Sequence, residues 1–217
     1  VQLNTNGLKL AENFRLAEDL AEAGLSWVFL QFDGVSDSTF KIIRGRPLLE
    51  IKKAAIAACA EAGLPVVLVP TVAAGVNDHE LGELVRFAVN SGPTVRGVHI
   101  QPMTSSGRNS LPGSEHRLTL PEVLQKLEEQ TEGWFRLEQA CPHSCEHERC
   151  SCHRRYRRTE AGELLPAAGD CCGKTTAEAI PGGEGAANTA RSVDITLHSW
   201  GGKASKPQGL PMLGQNK

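Results

Sequence analysis

The chain has 217 residues, of which 40% are hydrophobic, and its 23 basic and 25 acidic residues nearly balance. This length fits one domain with a tail or two small domains. The near-neutral charge argues against a protein that binds nucleic acid or a membrane surface by electrostatics. No apolar run reaches the ~20 residues of a membrane-spanning helix, and no segment resembles a signal peptide.

Short apolar runs alternate with amphipathic stretches along the first part of the chain. The first amphipathic stretch places Leu8, Leu16 and Leu20 on one helical face and ends at Gly24, a residue suited to a helix C-terminus. In chain order, the pattern predicts a strand end at residues 1–4, a helix over 8–24, a strand over 27–32, a helix over 47–62 with Pro47 in its first turn, a strand over 64–69, a helix over 79–90 capped by Asn77 or Asp78, a strand over 94–100 and a helix from Pro121.

Strands and helices that alternate at spacings of about thirty residues indicate right-handed βαβ crossovers and a parallel sheet. The apolar run at 64–69 is typical of a parallel strand covered on both faces. Three strands and part of a fourth are visible, and the first begins at Val1 without an initiator Met. We therefore expect that the chain lacks its true N-terminus and that a preceding segment supplies further strands.

Polar side chains follow the predicted strands where each one ends. Because the carboxyl ends of parallel strands meet at one edge of a sheet, these residues are expected to share a ligand site. Amides and hydroxyls can pair with ribose hydroxyls and adenine edges without adding charge. Turn formation and helix capping are the alternative role for each of them. The strand ends carry Asn4, Thr5, Asn6 and Gly7; Gln31, Asp33 and Gly34; Pro70 and Thr71; and His99, Gln101 and Pro102.

No general acid–base pair or Ser-His-Asp arrangement emerges from this set, so hydrolysis by side chains alone is not predicted. Arg44 and Arg46 precede the second predicted helix and are candidate contacts for an anionic substrate. Their alternative role is in a loop that leads into that helix.

Several short motifs occur in a recognisable order along residues 1–110. They are Asn4-Thr-Asn-Gly7, Leu30-Gln-Phe-Asp-Gly34, Arg44-Gly-Arg46, Val67-Leu-Val-Pro-Thr-Val72, Gly75-Val-Asn-Asp78 and Gly97-Val-His-Ile-Gln-Pro102. In this order and spacing they resemble the later half of a radical S-adenosylmethionine (SAM) domain. The branch that they resemble contains the pterin methyltransferase and tetraether lipid synthase type proteins.

The resemblance implies an α/β fold with a partial (βα)6 radical-SAM-type barrel, which this chain enters at its third strand. In that family, a [4Fe-4S] cluster on a C-x3-C-x2-C loop reduces SAM and releases a 5′-deoxyadenosyl radical. Neither this loop nor the family's glycine-rich segment is present in the chain, so we expect no SAM cleavage by this chain alone. By position, the resemblance implies SAM-binding roles for Thr5, Asn6, Gln31, Asp33, Val69, Thr71, Ile100 and Gln101.

Six of the seven cysteines lie between residues 141 and 172. Closely spaced thiolates can converge on an iron-sulfur cluster or on zinc, and the resemblance favours an auxiliary cluster. Zinc is the alternative because His143, His147 and His153 are near, and uncoordinated or disulfide-bonded thiols are a further one. Cys59, between two alanines on a predicted helix, is expected to be a buried structural thiol. The predicted metal ligands are Cys141, Cys145, Cys150, Cys152, Cys171 and Cys172.

The sequence therefore predicts three regions: a partial radical SAM barrel over 1–133, a Cys/His-rich metal-binding segment over 134–173, and a low-complexity, disordered tail over 174–217. An α/β pattern without a signal sequence favours a reducing compartment, so we expect a cytoplasmic protein. The full-length protein is predicted to be a radical SAM enzyme of methyl transfer or C–C bond formation. Its predicted partners are a small-molecule or lipid-like substrate and a reductant such as ferredoxin or flavodoxin.

Two other functions fit the residues. One is a zinc-binding interaction module on an α/β scaffold, in which the basic run Arg154–Arg158 contacts nucleic acid and its Tyr stacks on a base. That run is also explained as a solvated basic turn. The other is a nucleotide-binding α/β protein without redox chemistry.

Overall fold

The computed structural model describes residues 1–104, 117–142, 151–158 and 164–166. Its strands are β1 (Gln2–Thr5), β2 (Trp27–Gln31), β3 (Val66–Val69), β4 (Thr71–Val72), β5 (Val95–Val98), β6 (Gln101–Pro102), β7 (Cys141–Pro142), β8 (Cys152–His153), β9 (Tyr156–Arg158) and β10 (Leu164–Pro166). Its helices are α1 (Leu8–Glu12), α2 (Arg15–Glu22), α3 (Asp37–Arg44), α4 (Leu49–Glu61), α5 (Leu81–Asn90) and α6 (Leu120–Gln130), with a 3-10 turn at Leu137–Gln139.

The main sheet has four parallel strands in the order β1-β2-β3-β5. In its register Thr5 lies beside Leu30, and Gln31 lies beside Val69. Strands β4 and β6 add a separate parallel pair beyond β3 and β5. The prediction of an α/β fold with parallel strands is confirmed, and these described strands form an open sheet. All four carboxyl ends of the main sheet therefore meet at one edge.

The predicted helix over 8–24 is in fact two helices, α1 and α2. The chain leaves the helical conformation at Asn13, whose φ of −136° and ψ of 96° are extended. The backbone N–H of Leu16 then donates to the Asn13 carbonyl at the start of the second helix. Because of this break, the two helices can turn different faces to the core: α1 buries Leu10 and α2 buries Ala17.

Helix α3 was missed because its eight residues are mostly polar and its signals are local. Its N-cap is Ser36, whose hydroxyl accepts a hydrogen bond from the Thr39 N–H at 3.3 Å. Phe40 anchors the helix, since its buried ring meets Phe32 edge to face at 5.9 Å between centroids. The next helix starts at Leu49, so the placement of Pro47 in its first turn was wrong.

The predicted cap of α5 was also wrong. The helix begins at Leu81 with Glu80 as its N-cap, and no side chain caps it. Asn77 instead accepts from the Ala73 N–H at 2.8 Å, and Asp78 accepts from the Gly75 N–H at 2.9 Å. These side chains close the loop after β4, because their acceptors satisfy loop N–H groups that would otherwise be buried without partners.

Two hydrophobic clusters hold the fold. The larger lies between the main sheet and its helices and includes Leu30, Phe32 and Leu68, all fully buried. The smaller joins β4, α5 and α6 through residues such as Leu81 and Leu127. Helix α6 is well initiated, because Thr119 and Glu122 form a reciprocal capping box. None of the helices in the described ranges has the length and apolar character needed to cross a bilayer.

Candidate functional site

A cavity of about 640 Å³ opens at the carboxyl ends of the main sheet. This is the edge at which parallel α/β sheets bind ligands, and the volume is ordinary for a small-molecule site. Its apolar wall is formed by Leu8, Phe29 and Leu48. Alternation along β2 explains the division, since Phe29 and Gln31 face the cavity while Val28 and Leu30 are buried beneath the helices. Val69 is a further apolar residue of the lining. The polar lining consists of Asn4, Thr5, Asn6, Gln31, Arg44, Arg46, Lys52, Thr71 and Gln101.

Six of the eight residues predicted to bind SAM lie in this lining: Thr5, Asn6, Gln31, Val69, Thr71 and Gln101. The other two lie elsewhere. Ile100 packs against the smaller hydrophobic cluster. Asp33 is fully buried behind the cavity wall, where it holds a lining residue in place. The structure therefore brings most of the predicted residues together at one edge of the sheet.

Asp33 fixes Arg44 through a bidentate ion pair. Arg44 Nε donates to Asp33 Oδ2 at 2.8 Å, and Nη2 donates to Oδ1 at the same distance. The Thr71 N–H also donates to Oδ1 at 3.1 Å, and Arg44 Nη2 lies 3.3 Å from the Thr71 hydroxyl. The carboxylate side chain is 0% exposed and that of Arg44 is 29% exposed. This pair links the ends of β2, α3 and β4, and it neutralises one cation of the cavity.

The Gln31 amide also meets the Arg44 guanidinium. With its oxygen turned toward Arg44, that oxygen lies 2.8 Å from Nε and 2.9 Å from Nη1. This orientation is favoured because the opposite one would direct the amide hydrogens at guanidinium hydrogens. The Gln31 carbonyl oxygen is thus held by a cation, and its amide nitrogen then takes the position that lies 3.5 Å from Lys52 Nζ.

Lys52 is the lining residue that sequence reasoning missed. It lies in the middle of α4, is 0% exposed, and donates from Nζ to the carbonyl oxygen of Asn6 at 2.5 Å. Burial lowers its pKa to about 8; the nearby Asp33 raises the pKa, and Arg44 and Arg46 lower it. A signal was present: Lys52 shares a helical face with the buried residues Ala55, Ile56 and Cys59.

The loop after β2 is held by a second buried carboxylate, Glu80. Its Oε2 accepts from the Val35 N–H at 2.9 Å, and its Oε1 accepts from the Ser36 and Thr39 hydroxyls, each at 2.6 Å. Gly34 is required at this point, because a Cβ there would lie 2.3 Å from Glu80 Oε2. These contacts fix the start of α3, the helix that carries Arg44 at its other end.

Asn77 ties the same loop to β4. Its Nδ2 donates to the backbone carbonyls of Asp33 at 2.6 Å and Thr71 at 2.8 Å. Because Asn77 and Glu80 both lie between β4 and α5, this segment sets the position of the β2 loop. Contacts from this segment therefore hold the β2 loop and β4 next to each other at the cavity.

An adenosyl group fits this cavity in size and in hydrogen-bonding chemistry. Amide and hydroxyl groups from three strand ends face the space, and an apolar wall stands beside them. Such a lining can pair with ribose hydroxyls and cover the flat face of a purine. The residues that would hold SAM here are Thr5, Asn6, Gln31, Thr71 and Gln101. The described residues contain no group of His, Cys, Asp and Glu side chains suited to hold a metal ion.

The cysteine segment is described only in part. Residues 141–142 pair antiparallel with residues 152–153, so that Cys141 lies opposite His153 and Pro142 lies opposite Cys152. The other predicted ligands, Cys145, Cys150, Cys171 and Cys172, lie outside the described residues, as do His143 and His147. Cys59 is buried as expected, and burial raises the pKa of its thiol to about 12.

The burial of one residue in the basic run Arg154–Arg158 bears on the alternative in which this run contacts nucleic acid. Tyr156 is buried, and this desolvation raises the pKa of its phenol to about 12. A buried ring cannot stack on a base, so the stacking part of that alternative was wrong.

Comparison with known proteins agrees with this geometry. Residues 1–88 match the Radical SAM superfamily. The chain is 44% identical over 135 residues to the 7,8-dihydro-6-hydroxymethylpterin dimethyltransferase of Methanocaldococcus jannaschii, a match that covers 61% of this chain and 26% of the relative. It is 36% identical over 88 residues to the probable GTP 3′,8-cyclase of Pyrococcus abyssi, covering 41% of this chain and 28% of the relative.

The GTP 3′,8-cyclase of Paenarthrobacter nicotinovorans is 30% identical over 122 residues, which is 54% of this chain and 34% of the relative. The chain thus spans about a quarter to a third of the length of these curated relatives. The predicted resemblance to the radical SAM superfamily is confirmed, and the match that shows it covers residues 1–88.

Proposed function

We propose that this chain forms the adenosyl-binding edge of a radical SAM enzyme that transfers a methyl group to a small-molecule substrate. The observation that carries the proposal is the cavity at the carboxyl ends of β1, β2 and β3, where six residues predicted to bind SAM come together. Methyl transfer is favoured over cyclisation because the relative named as a dimethyltransferase has the higher identity, 44% against 36% and 30%. C–C bond formation is the alternative outcome for the same radical chemistry.

The site residues have distinct roles in this proposal. Gln31, whose oxygen is held by Arg44, presents its amide N–H groups to the ligand. Thr5, Asn6 and Thr71 offer hydroxyl and amide groups at the ends of β1 and β3. Bound SAM, reduced by one electron, would supply a 5′-deoxyadenosyl radical with methionine as the leaving group, and a second molecule of SAM would supply the methyl group. The chain's own residues bind and orient the adenosyl group and exclude water from it.

The proposal includes an electron donor of the ferredoxin or flavodoxin class and a cytoplasmic location, because reductive SAM chemistry needs a low-potential electron in a reducing compartment. The substrate is proposed to be a fused nitrogen heterocycle, since the names of the relatives specify a pterin and GTP. A lipid-like substrate, the other class expected from the sequence, has less support from these names.

The test is SAM turnover by the complete open reading frame that contains this chain. After anaerobic reconstitution with iron and sulfide, the protein is incubated with SAM, a reductant and a dihydropterin. We expect 5′-deoxyadenosine and a methylated pterin, both detected by mass spectrometry. Formation of 5′-deoxyadenosine without methylated product would keep the SAM site and reject the methyl-transfer proposal. A protein that neither binds nor cleaves SAM would reject both.

We also propose that the cysteine segment holds a metal, with an auxiliary iron-sulfur cluster preferred to zinc. The supporting observation is the antiparallel pairing of residues 141–142 with residues 152–153, because it places two of the predicted ligands, Cys141 and Cys152, on neighbouring strands. An anaerobically purified iron-sulfur protein is brown, whereas a zinc protein is colourless. Replacing Cys145 and Cys150 by Ala is expected to remove one iron-sulfur signal and leave another; loss of all iron, or of none, contradicts the auxiliary cluster.

A further inference from the structure

Lys52 is a buried cation without an anionic partner of its own. It is 0% exposed, and its Nζ donates to a backbone carbonyl, that of Asn6. Among the described residues no carboxylate forms an ion pair with it. Its neighbour Lys53 behaves ordinarily, with a side chain that is 45% exposed and paired with Glu50 at 2.8 Å. A neutral carbonyl compensates poorly for the loss of hydration of an ammonium group, so burial of Lys52 is costly in the empty site.

The cavity around Lys52 has an excess of positive charge. Among the described residues that line it, Arg44, Arg46 and Lys52 are cationic and none is acidic. The carboxylate of Asp33 lies behind the wall and is already bound to Arg44 by two hydrogen bonds. An uncharged nucleoside would give no reason for this arrangement. A ligand with an anionic group would supply the missing counter-charge.

A purely structural role for Lys52 does not explain its position. The hydrogen bond to Asn6 joins α4 to the end of β1, and a neutral donor could make it without burying a charge. The surrounding face of α4 is apolar and buried, with Ala55, Ile56 and Cys59. A methionine or leucine would fill that face at lower cost, whereas Lys52 contributes to the lining of the cavity and its Nζ donates to the end of β1.

We propose that Lys52 is a specificity-determining residue that binds an anionic group, a carboxylate or a phosphate, of the ligand in this cavity. The anion would lie between Lys52 and the exposed Arg46, whereas Arg44 remains paired with Asp33. This inference rests on the proposed function in that it concerns the same site. Two sources offer the required chemistry: the carboxylate of SAM and an acidic group of the substrate.

Three probes separate these sources in binding measurements on the complete protein. SAM is a net cation, but it carries a carboxylate beside its ammonium and sulfonium groups; 5′-methylthioadenosine lacks the carboxylate and both cationic groups. Inorganic pyrophosphate represents a substrate phosphate. SAM and pyrophosphate, the two probes with an anionic group, are called the anionic probes below. Each is titrated into the wild type, Lys52→Met and the matched control Lys53→Met. Thermal unfolding confirms that each variant is folded, and Lys52→Gln is the second variant if Lys52→Met is not.

We expect Lys52→Met to weaken binding of an anionic probe by about 10- to 100-fold, the usual effect of losing one charge-assisted hydrogen bond. Binding of 5′-methylthioadenosine should be unchanged, and Lys53→Met should bind all probes as the wild type does. A loss confined to SAM identifies the SAM carboxylate as the anion. A loss confined to pyrophosphate identifies an acidic substrate group.

The pH dependence distinguishes charge recognition from a packing role. Because Lys52 has a pKa of about 8 without ligand, the ratio of the Kd of Lys52→Met to that of the wild type should fall toward one between pH 7 and pH 9.5. Using this ratio cancels titration of the probe itself. The charged groups that face Lys52 are Asp33, Arg44 and Arg46, and all three are present in both proteins.

Equal Kd values for the two lysine variants with both anionic probes would overturn the inference. So would an equal loss of SAM and 5′-methylthioadenosine, because Lys52 would then shape the cavity without recognising charge; in either case the proposed function stands. If the wild type binds neither adenosyl compound, the proposed function fails, and the pyrophosphate titration alone decides the role of Lys52. If it binds none of the three probes, both fail.

Discussion

The two faces of the four-stranded sheet use the same strands for opposite purposes. On β2, Val28 and Leu30 are fully buried beneath the helices, whereas Phe29 and Gln31 face the ligand cavity. The helix-covered face is apolar and continuous, so its residues are interchangeable within limits of volume. The cavity face carries charges and amides that hold one another in place. Stability therefore derives mainly from one face and ligand recognition from the other.

One exception connects the two faces. Lys52 belongs by its helical face to the buried apolar layer, yet it is also part of the cavity lining. A residue of this kind lowers stability in order to serve binding, which is common at functional sites. The four predictions below test this division between the faces.

The largest effect is expected on the helix-covered face. Leu30→Ala should lower the free energy of unfolding by about 3–5 kcal/mol, because the side chain is fully buried and contributes to the main core. Urea denaturation followed by circular dichroism measures it. Ile42→Ala, at a side chain that is 47% exposed, is the control and should cost less than about 1 kcal/mol. Similar losses for both variants would show that Leu30 is not a core residue.

The next effect concerns the ion pair behind the cavity wall. Asp33→Ala should destabilise the protein by about 3 kcal/mol, because it leaves Arg44 without its bidentate partner and the Thr71 N–H without an acceptor. It should also weaken SAM binding, since Arg44 and Gln31 lose their fixed positions. Replacement of the exposed Asp19, which forms a surface i,i+4 pair with Arg15, is the control. Wild-type stability for Asp33→Ala would contradict the structural role assigned to this pair.

Lys52→Met should have the opposite effect and raise the free energy of unfolding at pH 7. The folded-state pKa of about 8 lies below the ordinary value of 10.5, so between these values the unfolded chain binds more protons and unfolding becomes less favourable as the pH rises. The loss of folding stability caused by burying the charged Lys52 is complete below pH 8 and amounts to about 3 kcal/mol at most. The stability gap between Lys52→Met and wild type should therefore shrink from pH 7 to pH 10.5.

Denaturant titrations of both proteins at several pH values measure that gap, and other titrating groups cancel in the comparison. Lys53→Met is the control and should show no pH-dependent gap, because that ammonium group is exposed. If the difference in unfolding free energy between Lys52→Met and the wild type does not change with pH, folding does not lower the pKa of Lys52.

The smallest effect on stability is expected for Gln31→Ala, within about 0.5–1 kcal/mol, because its side chain faces the cavity. Its effect on ligand binding should be larger, with SAM affinity in the complete protein falling about tenfold through the loss of an amide hydrogen bond. Gln125→Ala, at an exposed position of α6 outside the cavity lining, is the control and should bind normally. Unchanged SAM binding by Gln31→Ala would show that the β2 end is not part of the site.

Much of the fold could be predicted from local pattern. The predicted strands over 27–32, 64–69 and 94–100 each contain a strand of the main sheet. The nearly all-apolar run at 64–69 was the strongest signal, because such a run suits a strand covered on both faces. The division of residues 8–24 into two helices could not be predicted, since the apolar spacing continues across Asn13. Helix α3 was missed because Phe40 alone connects it to the core.

The candidate site shows the same contrast. Gln31 and Thr71 were identified because polar residues stand out where an apolar strand ends. The roles of Asn77 and Glu80 were not, since each acts on residues about 40 positions away: Asn77 bonds to Asp33, and Glu80 bonds to Val35 and Thr39. Only the paired strands bring these segments together.

The sequence by itself determined the class of fold, the edge of the sheet where the cavity lies and most of the polar residues at that edge, because these follow from alternation and strand direction. The tertiary structure decided which side chains are free to bind. In the folded chain the buried Asp33 pairs with Arg44, and Ile100 packs against the smaller hydrophobic cluster. Lys52 becomes part of the cavity lining. The physical reason is that charge pairing and burial depend on distances between segments far apart in the chain, and local sequence does not contain those distances.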